Sequence, residues 1–323
     1  MRAIVQNTYG PAEVLSLQDI TRPVVGDADL LVRVHAAGLD PGVWHVMTGL
    51  PYLIRLLGYG FRGPKDRVRG RALAGRVEAV GKDVTRFRPG DDVYGTCDGS
   101  FAEYAIVQAG DVAPKPARLT FDQAAAVPIS ATTALQGLRD VGRLRAGQRV
   151  LVIGASGGIG TFAVQLAEVY GAHVTGVCST SKTDLVRRLG AAEVVDYTRE
   201  DFADGTRHYD LILDTAGNRP LAHLRRALAP EGTLVIVGGE TGGRWTGGFQ
   251  RSVLAALLSP FMRQHLRMLT SKENGADLRA LEEHFEAGRL TPVIDRTYPL
   301  SEVPEAVRYL AEGHARGKVV ITV

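Results

Sequence analysis

Residues 149–171, RVLVIGASGGIGTFAVQLAEVYG, decide the fold. Val150, Leu151, Val152 and Ile153 form a continuous apolar run rich in β-branched side chains, the pattern of a parallel strand covered on both faces. Gly154, Gly157, Gly158 and Gly160 follow at once. Phe162, Ala163, Leu166, Ala167 and Tyr170 then recur at helical spacing until Gly171 stops the helix. Glycines let a backbone approach phosphate closely, and a helix N-terminus offers unpaired N–H groups with a partial positive charge. Strand, glycine turn and helix in this order predict a dinucleotide site, with Ala155, Ser156, Gly157, Gly158, Ile159 and Gly160 around the pyrophosphate. In G-x-G-x-x-G register the three marked positions are Ala155, Gly157 and Gly160, so alanine replaces the first glycine.

The surrounding sequence extends the pattern. Strand-like runs at 173–178, 193–197, 210–216 and 233–239 alternate with helical runs at 158–170, 181–189 and 219–229. This β-α-β rhythm predicts a doubly wound parallel sheet over about 121–289. The first part of the chain reads differently. Short alternating runs such as Leu30–Ala36, Gly75–Val80, Asp92–Tyr94 and Phe101–Val107 are joined by Gly and Pro turns, which suits antiparallel sheet. After about 290 the chain returns to strand, with a helix at 302–312 and a last strand, KVVITV, at 318–323. The expected layout is an α/β protein in which 1–120 and 290–323 form a mostly-β domain around the middle one.

Composition narrows the partners. A net charge of +3 over 323 residues gives no reason to expect nucleic acid or a membrane surface. Two cysteines, Cys97 and Cys178, cannot build a disulfide framework or a four-cysteine zinc site, and a reducing cytoplasm is the expected compartment. MRAIVQNTYG lacks the long apolar core of a secretory signal, and the apolar run Val253–Met262 is broken by Ser259 and Pro260 and too short to span a bilayer.

The second strand of the middle domain runs into Ser179, Thr180, Ser181 and Lys182, with no acid before Asp184. NAD sites usually place an acid there, on the ribose 2′-OH. Hydroxyls and a lysine favour a 2′-phosphate instead, so NADP(H) is the expected cofactor, although the same residues also start the next helix.

Taken in order, Met1–Val5, AAGLDP at 36–41, GRALAGRVEAVG at 70–81, RPGDDVYG at 88–95, AVPISATTALQGL at 126–138, GASGGIG at 154–160 and the closing GKVVITV resemble the medium-chain dehydrogenase/reductase superfamily over essentially the whole chain. Within it the chain is similar to the zinc-free quinone oxidoreductase-like branch. The resemblance implies a GroES-like first domain and a Rossmann second one. Zinc-dependent members carry an early Cys and a Gly-His-Glu signature. Here those positions match Leu39 or Asp40 and Gly70-Arg71-Ala72, and the four-Cys lobe is missing. Arg71 and Ala72 cannot supply zinc ligands, so no metal is expected. His35, His45 and Cys97 then read as scattered polar or core positions.

The resemblance also implies a working face. Asp40-Pro41 falls where relatives carry Asn-Pro lining the nicotinamide cleft. Trp44 and His45 follow on the next turn, where His45 is the expected proton donor or orienter, or equally a satisfied surface histidine. Val43 stands where an Asp is often found. Thr133 matches a threonine that contacts the nicotinamide region, or is a helix-core threonine. Tyr197 matches a tyrosine beside the adenosine 2′-phosphate, or closes the sheet end. Gly238 and Gly239 end the fifth strand, where backbone commonly meets the nicotinamide. Two apolar stretches, 47–63 with Tyr52, Tyr59 and Phe61, and 243–262, read either as substrate pocket or as subunit packing.

The expected function is zinc-independent, NADPH-dependent reduction of a small hydrophobic quinone or α,β-unsaturated carbonyl. Without a strong Lewis acid, a conjugated acceptor is the easier hydride target. One alternative is zinc-independent reduction of an aldehyde or ketone. Another, of a different class, is a non-catalytic NADPH-binding regulatory or structural protein. A homodimer is expected from the resemblance.

Overall fold

The computed structural model describes residues 1–238 and 243–323. Its first part is antiparallel, as the alternating pattern predicts: β1 (Arg2–Gln6), β2 (Leu15–Asp19), β3 (Asp29–Leu39), β4 (Ala72–Val80), β5 (Asp92–Thr96), β6 (Tyr104–Gln108) and β7 (Val112–Pro114). α1 (Pro41–Thr48) starts directly after β3, with proline in the first turn where a missing N–H costs nothing, and ends on Gly49 at φ 63°. α2 (Phe121–Ala125) opens with a reciprocal capping box between Thr120 and Gln123. α3 (Ser130–Gln136) leads into the middle of the chain.

The middle builds one parallel sheet from β8 (Arg149–Ile153), β9 (His173–Cys178), β10 (Glu193–Asp196), β11 (Tyr209–Asp214), β12 (Leu228–Ile236) and β13 (His265–Met268). The strand order is β10-β9-β8-β11-β12-β13. β8 and β11 are neighbours on which the order reverses, the switch point at which doubly wound sheets bind ligands beyond their carboxyl ends. α4 (Gly158–Val169), α5 (Thr183–Arg188), α6 (Leu221–Ala227) and α7 (Phe249–Leu258) connect the strands. Val150, Leu151, Val152 and Phe162 are fully buried or nearly so, which is what the continuous apolar run at 150–153 requires. β13 is an edge strand that sequence periodicity did not announce, because four residues, HLRM, carry too short a pattern.

The chain then returns through α8 (Gly275–Glu286), β14 (Ile294–Pro299), α9 (Val303–Ala311) and β15 (Lys318–Thr322). The resulting sheet runs β14-β15-β3-β4-β5-β7, with β6 also on β3. β3 is long enough to serve both sides: Ala36–Leu39 pair with β15 and Asp29–Arg33 with β6. Leu30, Val32, Leu73, Phe101, Val303 and Ile321 anchor the core of this unit.

The two compact units are Met1–Thr132 with Glu273–Val323, and Thr133–Lys272. Segments 121–132 and 273–289 therefore lie with the mostly-β unit rather than with the parallel sheet. Packing explains both placements. Gly38 on β3 lets the Ala125 carbonyl come so close that a Cβ would sit 2.4 Å from it. α8 is tied to the β unit by Tyr94 donating to the Leu278 carbonyl at 2.9 Å and Gly275 N–H donating to Gly110 O at 2.8 Å. Among the described residues no helix is long and apolar enough to cross a membrane.

Candidate functional site

The glycine turn sits at the carboxyl end of β8. Gly154 has φ 82°, and its amide and that of Ala155 both donate to Val177 O, which pins the turn to β9. Each glycine has its own reason. A Cβ on Gly160 would lie 2.0 Å from Gly154 O, so α4 packs on the turn only without one. A Cβ on Gly154 would meet Thr215 Oγ1 at 2.6 Å. Gly157, the N-cap of α4, is different: its Cβ would touch only Gly154 O, at 3.4 Å. Protein packing does not demand glycine there, and the half-exposed backbone of 157–159 is left open beside the first-turn amides, which have no intrahelical acceptors. Ala155 stands where the pattern expects glycine because Gly176 on β9 makes room: a Cβ there would crowd Ala155 Cβ at 3.1 Å and Val186 at 2.4 Å. Ser156 is buried beneath the turn. These features fit a dinucleotide pyrophosphate.

At the ends of β9 and β10 the structure adds a carboxylate that the linear sequence hid. Thr180 Oγ1 donates to Asp196 Oδ2 at 2.5 Å, Thr198 donates to Asp196 through its amide and hydroxyl, and Arg199 lies 3.5 Å from the same carboxylate. These hydrogen bonds, Thr180's foremost, hold the Asp196 carboxyl below the usual aspartate range. Ser179 and Lys182 are half-buried. Tyr197 is about half exposed, and the Arg219 guanidinium lies 5.8 Å from its ring centroid.

Beyond β11, Asp214 is fully buried and ion-paired with Arg251 of α7, and it accepts the Gly217 amide at 3.1 Å. Arg251 also donates to Arg219 O at 2.8 Å, so one carboxylate organises the loop after β11. Gly238 lies against Thr215, whose carbonyl would be 2.5 Å from a Cβ. Gly239 lies outside the described residues. Thr133 is buried and donates to Ser271 Oγ at 3.1 Å, one position before the end of this unit. Asp196, Asp214 and Ser271 were not singled out from the sequence. The one signal for Asp214 was an acid closing an otherwise apolar strand.

In the mostly-β unit, register brings distant residues together. Val319 pairs with Leu39, so Lys318 meets Asp40. The two form a buried ion pair, Ser130 donates to Asp40 Oδ1 at 3.3 Å, and Lys318 also donates to Leu39 O at 3.2 Å. Asp40 Oδ2 is buried without a hydrogen-bond partner. His45, one turn into α1, has Nδ1 2.9 Å from Leu50 O. A carbonyl only accepts, so Nδ1 carries a proton and Nε2 is the nitrogen whose protonation can change. Trp44 meets the His45 ring edge-on at 5.2 Å. Arg55 lies over both Tyr9 and Tyr52, at 4.4 and 4.8 Å, and donates to Gly49 O at 2.8 Å, which folds the 47–63 stretch back on α1. Leu56 and Phe61 of that stretch stay exposed.

Gly38 pairs with Ala72, which sets Gly70-Arg71-Ala72 at the same end of the β3–β4 ladder as Asp40. Arg71 donates to both carboxylate oxygens of Glu273 and to Asp98 Oδ1 at 2.7 Å. Burial opposes its charge, but Glu273 and Asp98 outweigh that and raise its pKa. The Cys97 thiol next to this network is pushed up by burial and by Asp98, which keeps it protonated. His35 stacks on Phe121 at 4.3 Å. Among the described residues no three His, Cys, Asp or Glu side chains cluster as metal ligands, and an ion-paired arginine, an alanine and a protonated thiol do not fit a zinc site.

Family models match in both parts of the chain: an alcohol dehydrogenase GroES-like domain at 26–117 and a zinc-binding dehydrogenase domain at 189–321. The mitochondrial NAD(P)H oxidoreductase RTN4IP1 of Mus musculus is 35% identical over 357 residues, covering 100% of this chain and 89% of that protein. The 2-methylene-furan-3-one reductase of Solanum lycopersicum is 33% identical over 337 residues, covering 99% and 79%. The quinone oxidoreductase structure from Coxiella burnetii superposes with a TM-score of 0.88 at 27% identity, covering 100% and 99%.

Proposed function

This chain belongs to the medium-chain dehydrogenase/reductase superfamily, in its zinc-free, quinone oxidoreductase-like branch, and we propose that it is an NADPH-dependent reductase of small hydrophobic quinones or α,β-unsaturated carbonyls. That it is an oxidoreductase with a nicotinamide cofactor follows from the relatives as a group. The observation that carries the finer reading is the Arg71–Glu273–Asp98 network standing where zinc-dependent members hold ligands. With that donor set a simple carbonyl gains no Lewis acid, whereas a conjugated acceptor spreads the developing negative charge over its own π-system.

The turn at 154–160 would hold the pyrophosphate, and Ser179, Thr180, Lys182 and Tyr197 the adenosine 2′-phosphate. Gly238 and Thr133 would border the nicotinamide, which when bound supplies the hydride. Asp196 is saturated by its own neighbours, so it orients Thr180 and Thr198 rather than reading a ribose hydroxyl. Asp40 acts as a positioning residue: its pairing with Lys318 locks the last turn of β3 to β15 and thereby the start of α1. His45 then presents Nε2. As imidazolium it delivers a proton to the reduced acceptor, and as neutral imidazole it accepts a hydrogen bond. Trp44 and Tyr52 supply apolar walls for the acceptor. The names of the mouse and tomato relatives and of the Coxiella structure support this reading, and the mouse protein's name also makes a mitochondrial setting as acceptable as a cytoplasmic one. A homodimer is part of the same proposal.

NADPH oxidation, followed in its near-ultraviolet band, with a 1,4-quinone, an enone and an aldehyde tests it. Turnover of the quinone or enone is expected. Turnover of the aldehyde alone would shift the assignment to carbonyl reduction, and tight NADPH binding with no turnover on any acceptor would make the protein a non-catalytic binder.

A further inference from the structure

Buried polar atoms are almost always hydrogen-bonded, and a buried charge is held by a partner of opposite sign. Arg69 breaks that rule. It is 4% exposed, and neither its Nε nor its Nη2 has a hydrogen-bond partner among the described residues. Burial lowers its pKa, but a guanidinium keeps its proton in proteins, so the charge stays. Asp66 and Asp98 act on it electrostatically without bonding either nitrogen, and Asp98 is taken by Arg71 at 2.7 Å. Pairing sets its place in the mostly-β unit. Val5 and Val68 form an antiparallel bridge and pack in a small cluster with Ala3 and Ala102. The next residue, Arg69, donates its amide to Ile4 O at 3.2 Å, and its carbonyl accepts the Phe101 amide at 2.8 Å. Side chains alternate along extended chain, so Arg69 goes to the other face, where Ile4 and Phe101 join the main core of this unit. Gln6 lies diagonally across from it on β1 and donates to Met47 O at 2.7 Å, in the last turn of the helix that carries His45. Gln6 Oε1 is buried without a partner, and so is Ser100 Oγ, from which a Cβ on Gly70 would lie 2.4 Å.

The two unmatched nitrogens of Arg69 point to the ligand. Nε and Nη2 form the side edge of the guanidinium, two parallel N–H donors spaced for the two oxygens of a carboxylate. The protein uses this edge in that way elsewhere: Arg71 turns it to Glu273, and Arg139 turns it to Asp140. On Arg69 no carboxylate among the described residues meets it. We propose that Arg69 binds a carboxylate, that of the acceptor, with Ser100 as a further donor, so that the substrates are conjugated carbonyl compounds or quinones carrying an acid group. This deepens the reading of the protein as a reductase and rests on it.

The test compares benzoylacrylate with its methyl ester as acceptors in NADPH oxidation. Binding is followed separately, as the melting temperature of the full chain with benzoylpropionate, the saturated acid. The acid is expected to exceed the ester in kcat/KM by about tenfold or more, through KM, and Arg69→Met to lower that ratio by about tenfold, with Arg69→Lys between the two. Benzoylpropionate should raise the melting temperature of the wild type and not that of Arg69→Met. Without ligand, Arg69→Met should melt no lower than the wild type, since it removes an unpaired buried charge. Acid and ester used equally well, or acetate stabilising as strongly as benzoylpropionate, overturns the proposal. So does Arg69→Met melting well below the wild type without ligand, which would pair the charge inside the protein. Binding of benzoylpropionate through Arg69 with no turnover of either acceptor would uphold the carboxylate site and remove the reductase reading instead.

Discussion

The turn at 154–160 and the corner around Asp40 and Arg71 handle polar groups in opposite ways. The turn removes side chains: Gly154 and Gly160 let Thr215 and α4 pack on the end of β8, and Gly157 leaves the half-exposed backbone of 157–159 open. The corner adds side chains and cancels them, with Lys318 on Asp40 and Glu273 and Asp98 on Arg71. A backbone site is local, cheap to build and tolerant of changes elsewhere. A site of buried paired charges depends on residues far apart in the chain, and breaking one partner leaves the other stranded.

The comparison breaks most visibly at the corner. Lys318→Met should strand a buried carboxylate and destabilise the protein by about 3–5 kcal/mol in denaturant unfolding, with much of the loss restored by adding Asp40→Asn. An unchanged unfolding midpoint for Lys318→Met would show the pair to be idle. At the turn, two glycines separate packing from binding. Gly160→Ala should cost about 1–3 kcal/mol of stability, because its Cβ has no space. Gly157→Ala should leave the melting temperature nearly alone and weaken NADPH binding by about tenfold, ~1.4 kcal/mol. Equal stability losses in both would remove the distinction drawn between them.

Smaller effects are expected at the adenosine end. Lys182→Glu should move the NADPH-to-NADH preference toward NADH by about tenfold, and Asp196→Asn should move it slightly toward NADPH. An unaltered ratio in Lys182→Glu contradicts the 2′-phosphate assignment. The smallest effect is one of pH. Burial, then Arg33 and Arg76, lower the His35 pKa from its ordinary 6.5. The unfolded chain therefore takes up a proton at a higher pH than the folded one does. Stability from this group is full above about pH 6.5 and falls as pH drops toward the lowered value. His35→Phe should flatten that part of the melting-temperature profile, and a profile as steep as wild type would assign the slope to other groups.

What was readable in the sequence follows the same division. The glycine turn, the parallel strands at 149–153 and 173–178 and the return strand expected at 318–323 are local patterns of period or turn chemistry, and the structure has them there, the last ending one residue earlier at Thr322. Asp40 and Lys318 lie 278 positions apart, and only the β3–β15 register joins them. Asp196 escaped notice because it is on the next strand, not after the glycine turn where an acid is sought. The apolar stretch at 243–262 was legible as unusual, but its helix and the edge strand β13 became visible only in the fold, since both of its faces are apolar and no period stands out.

The direct test of the central claim is hydride transfer after the protein has been dialysed against a strong chelator. The account predicts that kcat/KM for NADPH-dependent reduction of a 1,4-quinone is unchanged and that zinc is absent by elemental analysis. Loss of that activity, with recovery on adding zinc, would contradict it.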